Sequence, residues 1–297
     1  IGGTAQRIGI RRLLLSARIG KARYPGVVLP GIGGDAMLRS IDWRSPAAYE
    51  YTEHIPAAGF AWEYLRRDDD YHRAFQNIAN LKNLSTERLD EFSKRWGFDF
   101  PCDPESEPDK RALFWIPSLQ PRAVELQPVE HREGATEPIV TLARLDGIDL
   151  RHAADGWHGI WKVDGVTHQF WLPDAAPDVP AFYGSFDAMD AFHDLRCHAA
   201  QRLHRAFCGR PPGRDFRAMP AQLRRFHIQS LRALDASQRG ESYRSIAEVL
   251  LGFRGSKEDW EGDPRKNQVR RLVSNGLKMM RGGYRVLLHY PIKSGVR

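Results

Sequence analysis

The segment that most constrains this chain is Asp263 to Arg285, DPRKNQVRRLVSNGLKMMRGGYR, because both ends of a single helix are marked in it. Asp263 is a good N-cap, since its carboxylate can accept the free amide protons of a first turn. Pro264 fits the first helical position, where a missing N–H costs nothing. Gly282 and Gly283 can adopt the left-handed conformation that ends a helix. At helical spacing Val269, Leu272, Val273, Gly276, Leu277, Met279 and Met280 share one side. Asn267, Arg271, Ser274 and Lys278 occupy the other, with Arg270 and Arg281 at its margin. Such a helix needs a core for one face and leaves the other in solvent. Arg265 and Lys266 fall in the first turn, where the helix dipole disfavours cations. An external polyanion, such as a phosphate backbone, would account for them. A charged surface helix fits the same pattern.

The charge of the chain is divided along its length. Residues 211–297 carry 18 Lys+Arg against 8 Asp+Glu, residues 37–210 carry 20 against 28, and residues 1–36 carry 6 against 1. A basic end on an acidic body points to a polyanion at one end and a different partner at the other. The apolar fraction of 42% and charged fraction of 27% are those of an ordinary globular chain. No apolar run spans a bilayer, so no membrane partner is expected. Cys102, Cys197 and Cys208 are odd in number and unpaired in spacing, which suits a reducing cytoplasm.

The basic end reads as three helices. The first covers about Ala221–Ala236. The second is short, with Tyr243, Ile246, Ala247, Leu250 and Leu251 on one face and Ser242 or Ser245 as its cap. A loop containing Trp260 leads to the third, the Asp263 helix. A short helix, a connection and a basic helix is the order of a helix-turn-helix module, whose last helix enters the major groove. The Gly252–Gly262 connection is longer than the usual tight turn. After Gly283, YRVLLHY reads as an extended tail.

Upstream, residues 1–36 read as a disordered extension outside the fold, with Met37 just ahead of the first domain signal. Residues 40–80 are rich in aromatics, among them Trp43, Tyr49, Phe60, Trp62, Tyr64 and Tyr71. Interleaved Glu50, Glu53, Glu63 and Asp68–Asp70 make core packing a better use for these rings than stacking on bases. Residues 86–96 continue as an amphipathic helix. From 112 the period changes: ALFWIPSL, IVTLARL, HGIWKV and THQFWL have strand character, with Asp164-Gly165 as a hairpin turn. A long helix follows over Asp187–Phe207. The fold class is therefore α+β: a helical N-terminal region, a small antiparallel sheet with a long helix, and a C-terminal three-helix helix-turn-helix-like domain. The corresponding segments are 37–100, 112–209 and 215–297.

Catalytic motifs are sparse. His193, Cys197, His204 and Cys208 lie on one side of the long helix, but His193 and His204 are separated by about 16 Å of helix, too far for one tetrahedral metal. His193-x-x-Arg196 is shared with tyrosine recombinases, yet no downstream His or Trp is closely followed by a nucleophilic Tyr. Asp68–Asp70 suits a solvated helix cap better than a cation site. There is no P-loop, nucleophile elbow, zincin motif or paired C-x-x-C. No enzyme activity, cofactor or metal is expected.

Two stretches resemble known families. IDWRSPAAYEY…GFAWEYLRRDDDY, with RWGFDFP and FWIPSL, resembles the transcriptional-regulator-like domain of proteobacterial mobile elements. SIAEVLLG…W…RKNQVRRLVSNGLKMMRGGYRVLL resembles the C-terminal helix-turn-helix-like domain of the same elements. Joined, they resemble the FseA-like excision activators of integrative and conjugative elements. That resemblance implies binding at an excisionase promoter, activation of transcription and inhibition by a small antiactivator protein. The resulting expectation is a cytoplasmic, nucleoid-associated, non-enzymatic activator. Its partners are double-stranded DNA, RNA polymerase and an antiactivator, the last competing with DNA on the C-terminal domain, where an exposed Met279–Met280 pair suits adaptable binding although core packing is the commoner role for at least one of the two. The DNA-contacting residues are Arg265, Lys266, Asn267, Arg270, Arg271, Ser274, Lys278 and Arg281. The rivals are a protein-interaction regulator without direct DNA binding, and a recombination-associated DNA-binding protein.

Overall fold

A computed structural model describes residues 41–81, 85–106, 112–130, 134 and 138–292. The expected extension over 1–36 lies outside the described residues. A 3-10 helix, Ala47–Glu53, is followed by α1 (Ala57–Leu65), α2 (Asp69–Ala79) and α3 (Thr86–Trp96). The Asp68 carboxylate accepts from the Asp70 amide and caps α2. Asp70 pairs with Arg73 and Arg95. The acidic run is thus a helix cap with surface ion pairs. Ser85 caps α3, and Gly97 ends it in the left-handed region at φ 85°, a conformation that glycine adopts without a Cβ clash.

Five strands form one sheet: β1 (Ala123–Val129), β2 (Ile148–Ala153), β3 (Gly156–Val163), β4 (Val166–Leu172) and β5 (Phe182–Phe186), in the order β2-β3-β4-β1-β5. The β3–β4 hairpin turns at Asp164-Gly165, both at positive φ, as a two-residue turn requires. The sheet is mixed, not purely antiparallel, because β1 runs parallel to β4. Two expected strands are not strands. ALFWIPSL makes a single bridge, Trp115 to Phe98, and IVTLARL a single bridge, Val140 to Ala181, before a 3-10 turn. Their apolar side chains are used in packing: Trp115 stacks on Phe98 at 4.0 Å, and Leu142 is fully buried.

The long helix, α4, spans His193–Phe207 and starts later than Asp187. Asp187 is taken up locally by Ser185, and Asp190 accepts from the Phe192 amide ahead of the first turn. Leu203 and Ala206 pack α4 onto the sheet with Val124, Leu126, Phe170 and Leu172.

The C-terminal helices are α5 (Ala221–Gln238), α6 (Tyr243–Leu250), α7 (Lys257–Gly262) and α8 (Arg265–Lys278). A π-turn over Met279–Gly283 leads to the short helix α9 (Arg285–Leu288). Residues 284–290 are therefore not an extended tail. The Tyr284 hydroxyl donates to the Trp96 carbonyl at 2.9 Å, and Leu287 and Leu288 join the core of the N-terminal helices. Leu231, Leu234, Met279 and Met280 enter that core too, beside Phe60, Trp62, Tyr64 and Tyr71. The helices over 47–96 and those over 221–288 pack around one interior.

Candidate nucleic-acid interface

The apolar side of α8 is built as its spacing requires. Val269, Leu272, Val273 and Gly276 are buried, packed with Ala233, Ala236, Ile246, Ala247, Phe253 and Trp260. Gly276 lets α8 approach α5 closely, since a Cβ there would lie 2.9 Å from the Leu234 Cβ and 3.0 Å from the Ser230 carbonyl oxygen. Beside it the Asn275 amide donates to the Ser230 hydroxyl at 3.2 Å.

Two features of this core lay outside the reach of the sequence. The long connection between α6 and α8 contains α7, which opens with a reciprocal capping box between Ser256 and Asp259 and seats Trp260 against Phe253 at 5.0 Å. Trp43, from the N-terminal segment, is fully buried among the α6 and α8 side chains. Arg232 of α5 holds that segment by donating to the Trp43 and Arg44 carbonyls.

The second tie between the two ends is a buried ionic network. Arg67, at the end of α1, makes a two-pronged contact with Asp235 of α5, Nε to Oδ1 at 2.7 Å and Nη2 to Oδ2 at 3.0 Å. It also donates to Glu63 at 2.6 Å. Tyr49 donates to Asp235 and Tyr51 to Glu63. Burial works against charge on Arg67, but Asp235 and Glu63 outweigh it and raise its pKa. The network fixes α5, and through α5 the pose of α8, on the N-terminal helices.

The opposite face of α8 is open. Asn267, Arg270, Arg271, Ser274, Lys278 and, just beyond the helix, Arg281 are all exposed, and Gln268 joins them. Arg270 donates to the Asn267 side chain at 3.1 Å. The Arg271 guanidinium sits over the Phe226 ring of α5, 5.4 Å from its centre, which directs the side chain while leaving it accessible.

The first turn differs from the expectation. Arg265 and Lys266 are half-buried. The Asp263 carboxylate accepts from the Arg265 amide at 2.8 Å and also faces the Arg265 guanidinium. The Lys266 ammonium lies 2.6 Å from Glu261 and, through that hydrogen bond, lowers the glutamate pKa. The dipole cost of these two cations is therefore offset within the chain, and an external anion is not needed to explain them. The first-turn amides of Lys266, Asn267 and Gln268 bond to the Asp263 and Pro264 carbonyls. Met279 and Met280 are buried, so the expected exposed methionine pair is core.

The cysteine-histidine pairs of α4 are two separate contacts, Cys197 to His193 at 3.4 Å and Cys208 to His204 at 3.6 Å. Among the described residues the only grouping with metal-ligand proximity is Asp99, Asp155 and His158. Two of the three were invisible as a set in the sequence, because Asp99 precedes the sheet and His158 lies within it.

Comparison with known families places regulatory domains at both ends. Residues 187–289 match the family described as a type VI secretion (T6SS) transcription-factor DNA-binding domain. Residues 42–101 match the proteobacterial transcriptional regulator-like domain. No curated protein and no solved structure matches the chain. The first match contains α4 through α9, with the whole exposed face of α8 inside it. The chain joins a transcriptional-regulator-like domain to a helix-turn-helix-like DNA-binding domain, and neither matched family is catalytic. Among the described residues no helix is long and apolar enough to cross a membrane.

Proposed function

We propose that the chain is a transcriptional activator that reads duplex DNA with the exposed face of α8, at excision or transfer genes of an integrative and conjugative element. The observation that carries this reading is the division of α8: one face is locked into the core, and Asn267, Arg270, Arg271, Ser274, Lys278 and Arg281 are exposed on the other. Arg can bond guanine and Asn can bond adenine in two-pronged fashion in the major groove. Arg271 and Asn267, one turn apart, take those roles, Asn267 exchanging its Arg270 contact for a base. Arg270, Ser274, Lys278 and Arg281 meet phosphates, which set register and affinity. Arg265 and Lys266 add to this only where DNA displaces Asp263 and Glu261.

RNA polymerase and a small antiactivator are proposed partners on the strength of the resemblance to excision activators. With Met279 and Met280 buried, a competing antiactivator would have to cover the polar face of α8. A second target set is favoured by the description of the matched DNA-binding family, namely genes of type VI secretion. Footprinting on promoters of both kinds separates the two.

The test of DNA binding is the salt dependence of affinity for a labelled duplex. Each phosphate neutralised by a cation contributes about −0.9 to the slope of log K against log salt, so Arg270, Lys278 and Arg281 together give a slope near −3. A protein-interaction regulator with no DNA partner would show no saturable duplex binding even at low salt, and that result overturns the reading.

A further inference from the structure

The cluster of Asp99, Asp155 and His158 lies outside α8 and the residues assigned to DNA reading. His158 lies on β3 and is fully buried, its ring stacked near Trp171 and edge-on to Phe100. Its two nitrogens face different carboxylates. Nε2 is hydrogen-bonded to Asp155 Oδ1 at 2.8 Å. Nδ1 lies 3.2 Å from Asp99 Oδ2, but the two are not aligned as donor and acceptor. Both atoms are buried, and neither has a hydrogen-bond partner. Buried polar atoms are rarely left in that state.

Close approach without alignment is the relation between neighbouring ligands of one metal ion. With metal–ligand bonds of about 2.1 Å, adjacent ligands in octahedral or tetrahedral geometry stand about 3.0–3.4 Å apart. The Asp155 contact completes a recurrent pattern, in which a metal-ligating histidine donates its other N–H to a carboxylate that fixes its tautomer and orientation. We propose that His158 Nδ1 and Asp99 Oδ2 are ligands of a divalent transition-metal ion of the zinc type, with Asp155 as the positioning residue for His158. Imidazole and carboxylate together suit zinc better than the harder magnesium or calcium ions.

The surroundings agree with a cation. Asp99 and Asp155 open onto a cleft of about 500 Å³ whose wall also carries Asp90 and Glu125, against Lys94 and Arg196. An ion there would join the segment after α3 to the sheet at β3.

The experiment uses the full chain with Cys197→Ser and Cys208→Ser, which removes the thiol pairs of α4 as competing ligands. Zinc chloride is titrated calorimetrically, and cobalt(II) serves as the absorbing substitute. Saturation at one ion per chain is expected, with a cobalt spectrum free of thiolate charge transfer. Asp155→Asn should weaken binding about 10–100-fold, as loss of a second-layer partner does, and Asp99→Asn and His158→Gln should weaken it further. Because His158 is buried, the ring nitrogens are also followed by nitrogen-15 NMR in the protein with His158 intact. Zinc should move the His158 Nδ1 resonance and leave Nε2 protonated. Absence of one-to-one binding, binding unchanged in a folded Asp99→Asn protein, or an unmoved His158 signal would overturn the assignment.

Discussion

Asp235→Ala is the perturbation that tests how the two ends of the chain are held together. In the native network two carboxylates, Glu63 and Asp235, face two guanidiniums, Arg66 and Arg67. Removing Asp235 leaves two cations against one anion. It strips Arg67 of both bonds at 2.7 and 3.0 Å, and Tyr49 of its acceptor. All four charged side chains are nearly inaccessible, Asp235 being the most exposed at 7%, so water cannot replace what is lost. Breaking a buried pair by deleting one partner costs about 3–5 kcal/mol. For a chain of this size each kcal/mol lowers Tm by about 2–4 °C, so a fall of about 6–20 °C is expected. The assay is thermal unfolding followed by far-ultraviolet circular dichroism and by tryptophan fluorescence. Tryptophans report from both ends, Trp62 in the core of the N-terminal helices and Trp260 in that of α6 and α8, so a shared interior predicts a single fluorescence transition that coincides with that of circular dichroism. A change below about 2 °C, or a loss confined to one probe, would refute the reasoning that this network couples the two ends.

Two further outcomes follow from single contacts. Burial lowers the His227 pKa to about 4, with Arg224 adding to the shift, while the unfolded value is about 6.5. The depressed folded value means that His227 stabilises fully above pH 6.5, and that this contribution is lost as pH falls toward 4, where the unfolded chain binds the extra proton first. Denaturant titrations from pH 7 to 4 should show wild type losing up to about 3 kcal/mol more than His227→Gln, and parallel curves would contradict this. Glu261→Gln releases Lys266 from its 2.6 Å ion pair. It should raise affinity for random duplex DNA and steepen the salt slope by up to about one unit, whereas an unchanged slope would mean that Lys266 never reaches phosphate.

What could be read from the sequence was mostly local. The faces of α8, the Ser242 cap of α6 and the Asp164-Gly165 turn each depend on residues within a few positions of one another, and local sterics and amide capping dictate them. The aromatic stretch over 40–80 was legible as core because its acids exclude a nucleic-acid surface. What was not legible depends on pairing across the chain. Nothing near Trp43 indicates that it completes the core of α6 and α8. Asp235 looks like one more polar residue of a surface helix until Arg67 is opposite it. The first turn of α8 shows the same limit: Arg265 and Lys266 look unsupported until Asp263 and Glu261 fold against them. Strand character in ALFWIPSL and IVTLARL reflected apolar side chains needed for packing, and Pro117 together with the aromatic stack at Trp115 leaves the first without a ladder. The parallel pairing of β1 with β4 arises from strand order, on which local pattern carries no information.

If α8 reads sequence rather than charge alone, Arg271→Ala must separate specific from random DNA. The side chain is exposed and sits over the Phe226 ring, and alanine keeps helix propensity, so circular dichroism should be unchanged. Binding is measured by anisotropy on the footprinted site and on a scrambled duplex at several salt concentrations. The account predicts a loss of about 1–3 kcal/mol on the specific site with little change on scrambled DNA. An equal loss on both would make α8 an electrostatic contact only and contradict the claim that it reads the operator.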